Sequence, residues 1–149
     1  MQVGDICSRE VYMVRSEEPL AEAVREMDKR HVGAVVVVDS QADIVRPIGI
    51  VTDRDVVRGQ LVRSADLFCL SVGDVMTKTP LTVEESCGVG EAIERMSARN
   101  VRRAPVVSST GDLVGIVTLD DLLPVVAEDL SMLARLLGTQ ARREHDGSG

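Results

Sequence analysis

A chain of 149 residues has room for one ordinary domain, or for two very small units that share a core. With 44% hydrophobic and 28% charged residues the composition is that of a folded globular protein and excludes a disordered chain. A net charge of −7 argues against a nucleic-acid partner, since a phosphate backbone selects a basic face, yet it leaves room for a small anion in a locally positive pocket.

There is one Tyr, one Phe and no Trp, so the core must be aliphatic, and 25 valines point to Val-rich strands at its centre. No apolar run approaches the length that spans a bilayer. The start, MQVGDICSRE, lacks the basic stretch and apolar run of a secretory signal, so a cytoplasmic protein is expected. Cys7, Cys69 and Cys87 are scattered, no C-x-x-C pair occurs, and His31 and His145 are isolated. No metal site is expected, and the cysteines read as buried free thiols.

In chain order the first element is a short extended piece near Val11 to Val14. An amphipathic helix follows, with Leu20, Ala23, Val24 and Met27 at the i, i+3, i+4, i+7 positions of one face. AVVVVD (34–39) is a strand, SQADIVRP a polar loop, and IGIV (48–51) a second strand. The Val runs lack polar alternation, so both strand faces should be covered. A helix starts near Asp53. The connector GQLVRSADLFCLSVG (59–73) begins by extending that helix, and its Phe68 is expected to plug a gap between neighbouring units.

The sequence of elements then starts again. VGDVMTKTPLTV (72–83) matches VGDICSREVYMV (3–14) at an offset of 69. Val89, Ala92, Ile93 and Met96 repeat the helical spacing, APVVS (104–108) the first strand, and LVGIV (113–117) the second. After the first strand the offset is 66, which sets GIVTDRDVV (49–57) over GIVTLDDLL (115–123). A repeat this long means duplicated units that bury their faces against each other. The last helix runs through Leu130, Leu133, Leu136 and Leu137, with Pro124 expected to kink or restart it and Gly138 to stop it. The expected layout is therefore a first repeat at 1–58, a linker at 59–71, a second repeat at 72–137 and a disordered polar tail at 138–149.

Each repeat carries T-x-x-D where a strand gives way to a helix: Thr52 to Asp55, and Thr118 to Asp121. Alone this is a capping box worth about 1 kcal/mol. A helix N-terminus at the carboxyl end of a strand also offers free N–H groups and partial positive charge. A hydroxyl there can bind phosphate or sugar, and an Asp can accept from sugar hydroxyls. Two such termini in a symmetric pair make two related sites.

Two copies of G-I-V-T-x-x-D behind Val-rich strands, with V-G-D-V-M-T-K-T-P and V-R-R-A-P-V-V in the second copy, resemble a tandem cystathionine-β-synthase (CBS) domain pair, or Bateman module. The resemblance covers about residues 3–137, and with no catalytic or transport domain attached the chain looks like a stand-alone pair. It implies a mixed α/β (α+β) fold of two β-α-β-β-α units around a pseudo-two-fold axis, assembled as a homodimer. The implied ligands are AMP, ADP or ATP, or else S-adenosylmethionine, NADH or a dinucleotide polyphosphate. Each would act as a regulatory ligand rather than a required cofactor.

Carried over by position, site A takes Thr52, Arg54 and Asp55 from the first repeat, with Lys78, Thr79, Pro80, Arg102, Arg103, Ala104 and Pro105 from the second. Site B takes Thr118 and Asp121 with Val11, Tyr12, Val32, Gly33 and Ala34. Arg54 is replaced by Asp120 in the second copy, and Gly33-Ala34 stand where site A has Arg102-Arg103. A di- or triphosphate needs cations in a partly desolvated cleft. Site A is thus expected to take the phosphorylated nucleotide, and site B to bind weakly, to take a less charged adenosyl compound, or to stay empty. Two other readings of these residues stand beside this one. Arg102 and Arg103 also fit a solvated surface pair, and the chain also fits a structural dimerisation unit with degenerate sites. An enzyme fits poorly, for want of a nucleophile beside a His, a metal cluster or a glycine-rich phosphate loop.

Overall fold

The computed structural model describes residues 1–41 and 43–147 of the chain. The first repeat contains β1 (Met13–Arg15), α1 (Leu20–Arg30), β2 (Ala34–Gln41), β3 (Ile44–Thr52) and α2 (Asp53–Arg63). The second contains α3 (Val72–Val75), β4 (Thr77–Lys78), β5 (Val83–Glu84), α4 (Val89–Arg99), β6 (Arg103–Val107), β7 (Leu113–Thr118) and α5 (Leu119–Gly147). The mixed α+β class expected from the sequence is the one observed, and the two repeats share one plan.

Helices α1 and α4 form because their apolar residues recur on one face, and that face is buried. Leu20, Ala23 and Met27 enter one core, and Val89, Ala92 and Met96 the other. Both helices end at a polar residue in the left-handed conformation, His31 at φ 56° and Asn100 at φ 52°. The next backbone N–H in each case returns to a carbonyl of the last turn, Val32 to Met27 and Val101 to Met96, both at 3.0 Å. These matched stops set where the loop before each central strand begins.

In each unit a parallel strand pair is followed by an antiparallel hairpin: β1 with β2 and β2 with β3, then β5 with β6 and β6 with β7. The first hairpin is longer than the sequence reading allows. Ser40 pairs with Val45 and Gln41 with Ile44, so most of the segment expected as a polar loop is strand. Its β-branched Ile44 and Val45 favour extension. The Val45 N–H also donates to Asp112 Oδ1 of the second hairpin at 2.9 Å, which ties the extension to the other repeat.

The repeats exchange their leading segments. Val3 and Gly4 donate to the carbonyls of Cys87 and Glu85 in the second copy, each at 2.8 Å. Their counterparts Val72 and Gly73 donate to Glu18 and Ser16 in the first, at 2.9 and 2.8 Å. Thr77 of β4 pairs with Ile50 of β3, and Ser8 exchanges two 2.9 Å bonds with Ile116 of β7. Val72 is therefore buried in the core of the first repeat, and Val3 in that of the second. Glycine is needed where a leader crosses a strand. A Cβ on Gly49 would lie 2.6 Å from Met76 Sδ, and one on Gly115 2.8 Å from both Cys7 Sγ and the Ser8 carbonyl oxygen. The G of G-I-V-T thus marks the strand crossing.

Four local expectations are corrected. Phe68 is 73% exposed and plugs nothing; Asp66 Oδ1 accepts from its N–H in a tight turn, and Leu70 enters the core instead. Cys69 is exposed, while Cys7 and Cys87 are half-buried, so none of the three thiols is a core side chain. Pro124 lies inside α5 and does not restart it, since the helix runs unbroken through it, with Leu122 and Val125 on either side packed onto the second core. Gly138 does not stop it either: its φ is not in the left-handed region, and the helix continues to Gly147. Helix thus occupies most of the expected polar tail, and residues 148 and 149 lie outside those described.

Candidate ligand clefts between the repeats

Two clefts open where the T-x-x-D of one repeat meets the leading segment and strand entrance of the other. Cleft A, about 400 Å³, is lined by Thr52, Arg54 and Asp55 from the first repeat and by Pro80, Arg102 and Arg103 from the second. Cleft B, about 300 Å³, is lined by Thr118 and Asp121 and, from the first repeat, by Val11, Tyr12, Val32 and Ala34. Asp55 and Arg103, from opposite halves of the chain, share one hollow.

Local chemistry sets these positions. Thr52 caps α2: its hydroxyl accepts from the Asp55 N–H at 3.1 Å, and Asp55 Oδ2 accepts from the Thr52 N–H at 2.9 Å. The same reciprocal box holds Thr118 and Asp121 at 2.9 and 3.4 Å, and there the Thr118 hydroxyl also lies 3.1 Å from Asp121 Oδ2. One backbone bond then ties each helix start to the loop before the other strand of its hairpin. Asp53 N–H reaches the Gly33 carbonyl at 3.1 Å, and Leu119 N–H the Arg102 carbonyl at 2.8 Å. Each cleft floor is therefore a helix N-terminus fixed against a strand entrance.

Five residues expected in the sites lie off the walls. Lys78 pairs with Gly49 in the sheet and is exposed away from the cleft. Ala104 and Pro105 are fully buried and line neither cleft. Gly33 presents only its backbone, its carbonyl being taken by Asp53. Thr79 also misses the wall of cleft A, but its carbonyl accepts from Arg99 Nη2 at 3.0 Å.

Arg99 is the main residue that sequence reasoning missed in cleft A, along with Ile50, Asp53, Thr77, Leu81 and Val101. The repeat held the clue, since Arg99 aligns with Arg30 at the end of the matching helix. The two arginines are used differently. Arg30 lies over the Tyr12 ring, 4.8 Å from its centroid, and pairs with Glu26 at 3.2 Å. Leu81 replaces Tyr12 in the second repeat, which leaves Arg99 free to reach the cleft wall. In cleft B the additional residues are Ser8, Glu10, Val36, Ile116 and Arg103.

The electrostatic contrast is plain. Cleft A presents Arg54, Arg99, Arg102 and Arg103 against Asp53 and Asp55. Cleft B presents Glu10 and Asp121 against Arg103 alone. Among the described residues no carboxylate lies within 4.0 Å of any of the four arginines of cleft A. The thiols are poorly suited to nucleophilic work: burial raises the pKa of Cys7 and of Cys87, and hydrogen bonding to Asp66 raises that of Cys69.

Comparison with known proteins agrees with this architecture. The family model described as the CBS domain matches residues 3–61 and again 72–128. An uncharacterized protein of Methanopyrus kandleri is 34% identical over 125 residues, spanning 84% of this chain and 62% of its own length. A solved CBS-domain protein from Burkholderia ambifaria superposes with a TM-score of 0.74 at 27% identity, covering 87% of this chain and 96% of that one. The CBS domain pair of protein MJ0100, solved in complex with 5′-methylthioadenosine and S-adenosyl-L-methionine, gives 0.73 at 25% identity over 87% and 98% of the two chains. The chain belongs to the CBS-domain family, and its two repeats form a tandem pair.

Proposed function

We propose that this pair is a regulatory module that binds an adenine nucleotide of the AMP, ADP or ATP class in cleft A and performs no chemistry of its own. The observation that carries the reading is the composition of that cleft. A capped helix N-terminus from one repeat faces four arginines, three of them from the other repeat. The helix start and the guanidinium groups favour phosphate. Asp55 spends Oδ2 on its cap, and among the described residues Oδ1 has no protein donor, so it suits the paired hydroxyls of a ribose. The apolar wall of Ile50, Leu81 and Val101 suits a flat base. The 5′-methylthioadenosine and S-adenosyl-L-methionine in the MJ0100 pair support the adenosine part of this reading; the phosphate part rests on the arginines.

A ligand held by both repeats stabilises their closed arrangement by mass action, and a partner that prefers that arrangement would read the signal. The module works as a homodimer. Support comes from the apolar side chains left open on α2 (Val57, Leu61) and along α5 (Leu130, Leu133, Leu137), faces a second copy would cover.

Calorimetry with AMP, ADP, ATP, NADH and S-adenosylmethionine tests the reading. Arg54→Asp and Arg102→Gly each install the residue of the other repeat. Each should weaken ADP about tenfold or more, the worth of one charge-assisted contact. If no compound binds the wild type at millimolar concentration, the second reading holds, a structural dimerisation unit with degenerate clefts.

A further inference from the structure

Arg103 stands in the walls of both clefts. It opens β6 directly opposite Thr118, whereas the equivalent pair in the first hairpin is Ala34 opposite Thr52. The pseudo-symmetry of the repeats therefore offers two equivalent places for this cation, and only one is filled. Among the described residues no carboxylate pairs with its guanidinium within 4.0 Å, so neither cleft already owns it.

We propose that Arg103 is a single cation shared between the clefts, so that phosphate-bearing ligands compete for it and cleft B admits, beside an occupied cleft A, only a nucleoside without phosphate charge. This rests on the reading of the clefts as nucleotide sites and assigns the two different ligand classes. A guanidinium grips phosphate through one rigid planar fork, and a fork turned to one phosphate cannot present the same donors to a second. The loss is unequal. Cleft A without Arg103 keeps Arg54, Arg99 and Arg102. Cleft B without it leaves a phosphate facing Glu10 and Asp121 with no cation in its wall. An uncharged nucleoside needs no cation and escapes the competition. The coupling is reciprocal, so a phosphate held in cleft B weakens cleft A by the same factor.

The chain carries its own reporter. Tyr12 is its sole tyrosine and lines cleft B but not cleft A. Its ring proton signals, followed by NMR, therefore read occupancy of cleft B, while calorimetry reads total binding. Inorganic tripolyphosphate is the probe for cleft A, and AMP and adenosine are the probes for cleft B. Saturating tripolyphosphate should raise the Kd of AMP read at Tyr12 about tenfold or more, the loss of one charge-assisted contact, and leave that of adenosine unchanged. Arg103→Ala should make AMP at Tyr12 as weak as tripolyphosphate makes it in the wild type, and indifferent to tripolyphosphate. Arg103→Lys, which keeps the charge but not the fork, should hold AMP at Tyr12 more tightly than Arg103→Ala does, and unchanged adenosine binding in both variants shows that the cleft is intact. The proposal is overturned if tripolyphosphate binds by calorimetry yet AMP at Tyr12 ignores it, or if Arg103→Ala leaves the competition in place. Should neither tripolyphosphate nor any nucleotide bind at all, the nucleotide reading fails and takes this one with it.

Discussion

Replacing Gly115 by alanine probes the exchange of leading segments on which both clefts depend. The new methyl carbon would lie 2.8 Å from Cys7 Sγ and 2.8 Å from the Ser8 carbonyl oxygen. The sulfur is the end of a side chain and can turn away. The oxygen is backbone, held at 2.9 Å by the Ile116 N–H while the Ser8 N–H returns a second 2.9 Å bond. The leader must back off β7 and stretch both. Two weakened hydrogen bonds cost about 0.5–1.5 kcal/mol each, and overpacking adds about 1–3 kcal/mol. The sum, about 2–6 kcal/mol, lowers the melting temperature of a chain this size by roughly 4–24 °C. Differential scanning calorimetry reads this directly, with Gly90→Ala as the control. A Cβ there meets nothing within 4 Å in the first turn of α4, so that change should be neutral or stabilise by up to about 1 kcal/mol. A Gly115→Ala protein melting within about 2 °C of wild type would mean that the leader is loosely held, and the account of the cleft walls would fall with it.

Leu122, 2% exposed in the core of the second repeat, should cost about 2–5 kcal/mol as Leu122→Ala, seen as a lower urea midpoint with an unchanged slope. Asp74 receives hydrogen bonds from the Ser71 backbone and side chain, which hold its pKa below the ordinary 3.8. Its contribution is complete above that value and is lost as the pH falls through the folded-state value. The gap in Tm between wild type and Asp74→Asn should therefore be widest above pH 3.8 and close as the pH drops below it.

Much of this protein can be read along the chain. The 69-residue offset, the i, i+3, i+4, i+7 stripes and the Val runs locate α1, α4, β2 and β6, because periodicity and β-branching act over a few neighbouring residues. The paired T-x-x-D boxes are equally local, each closed within three residues. Where helices stop was less legible. Gly138 had the identity of a terminator but not the backbone conformation, and Pro124 did not restart the helix, whose neighbours Leu122 and Val125 pack onto the second core.

Sequence alone, then, determined the duplication, the order of elements and which side chains could carry ligand chemistry. Tertiary structure decided which of them meet. It gave Val3 to the second core and Val72 to the first, drew Arg99 into cleft A through the Thr79 carbonyl, and set Arg103 between two hollows. Those facts depend on contacts between residues some 20 to 110 positions apart, as in Arg99 with Thr79 and Ser8 with Ile116. No local pattern encodes such contacts, because they exist only once two hydrophobic faces have closed on each other.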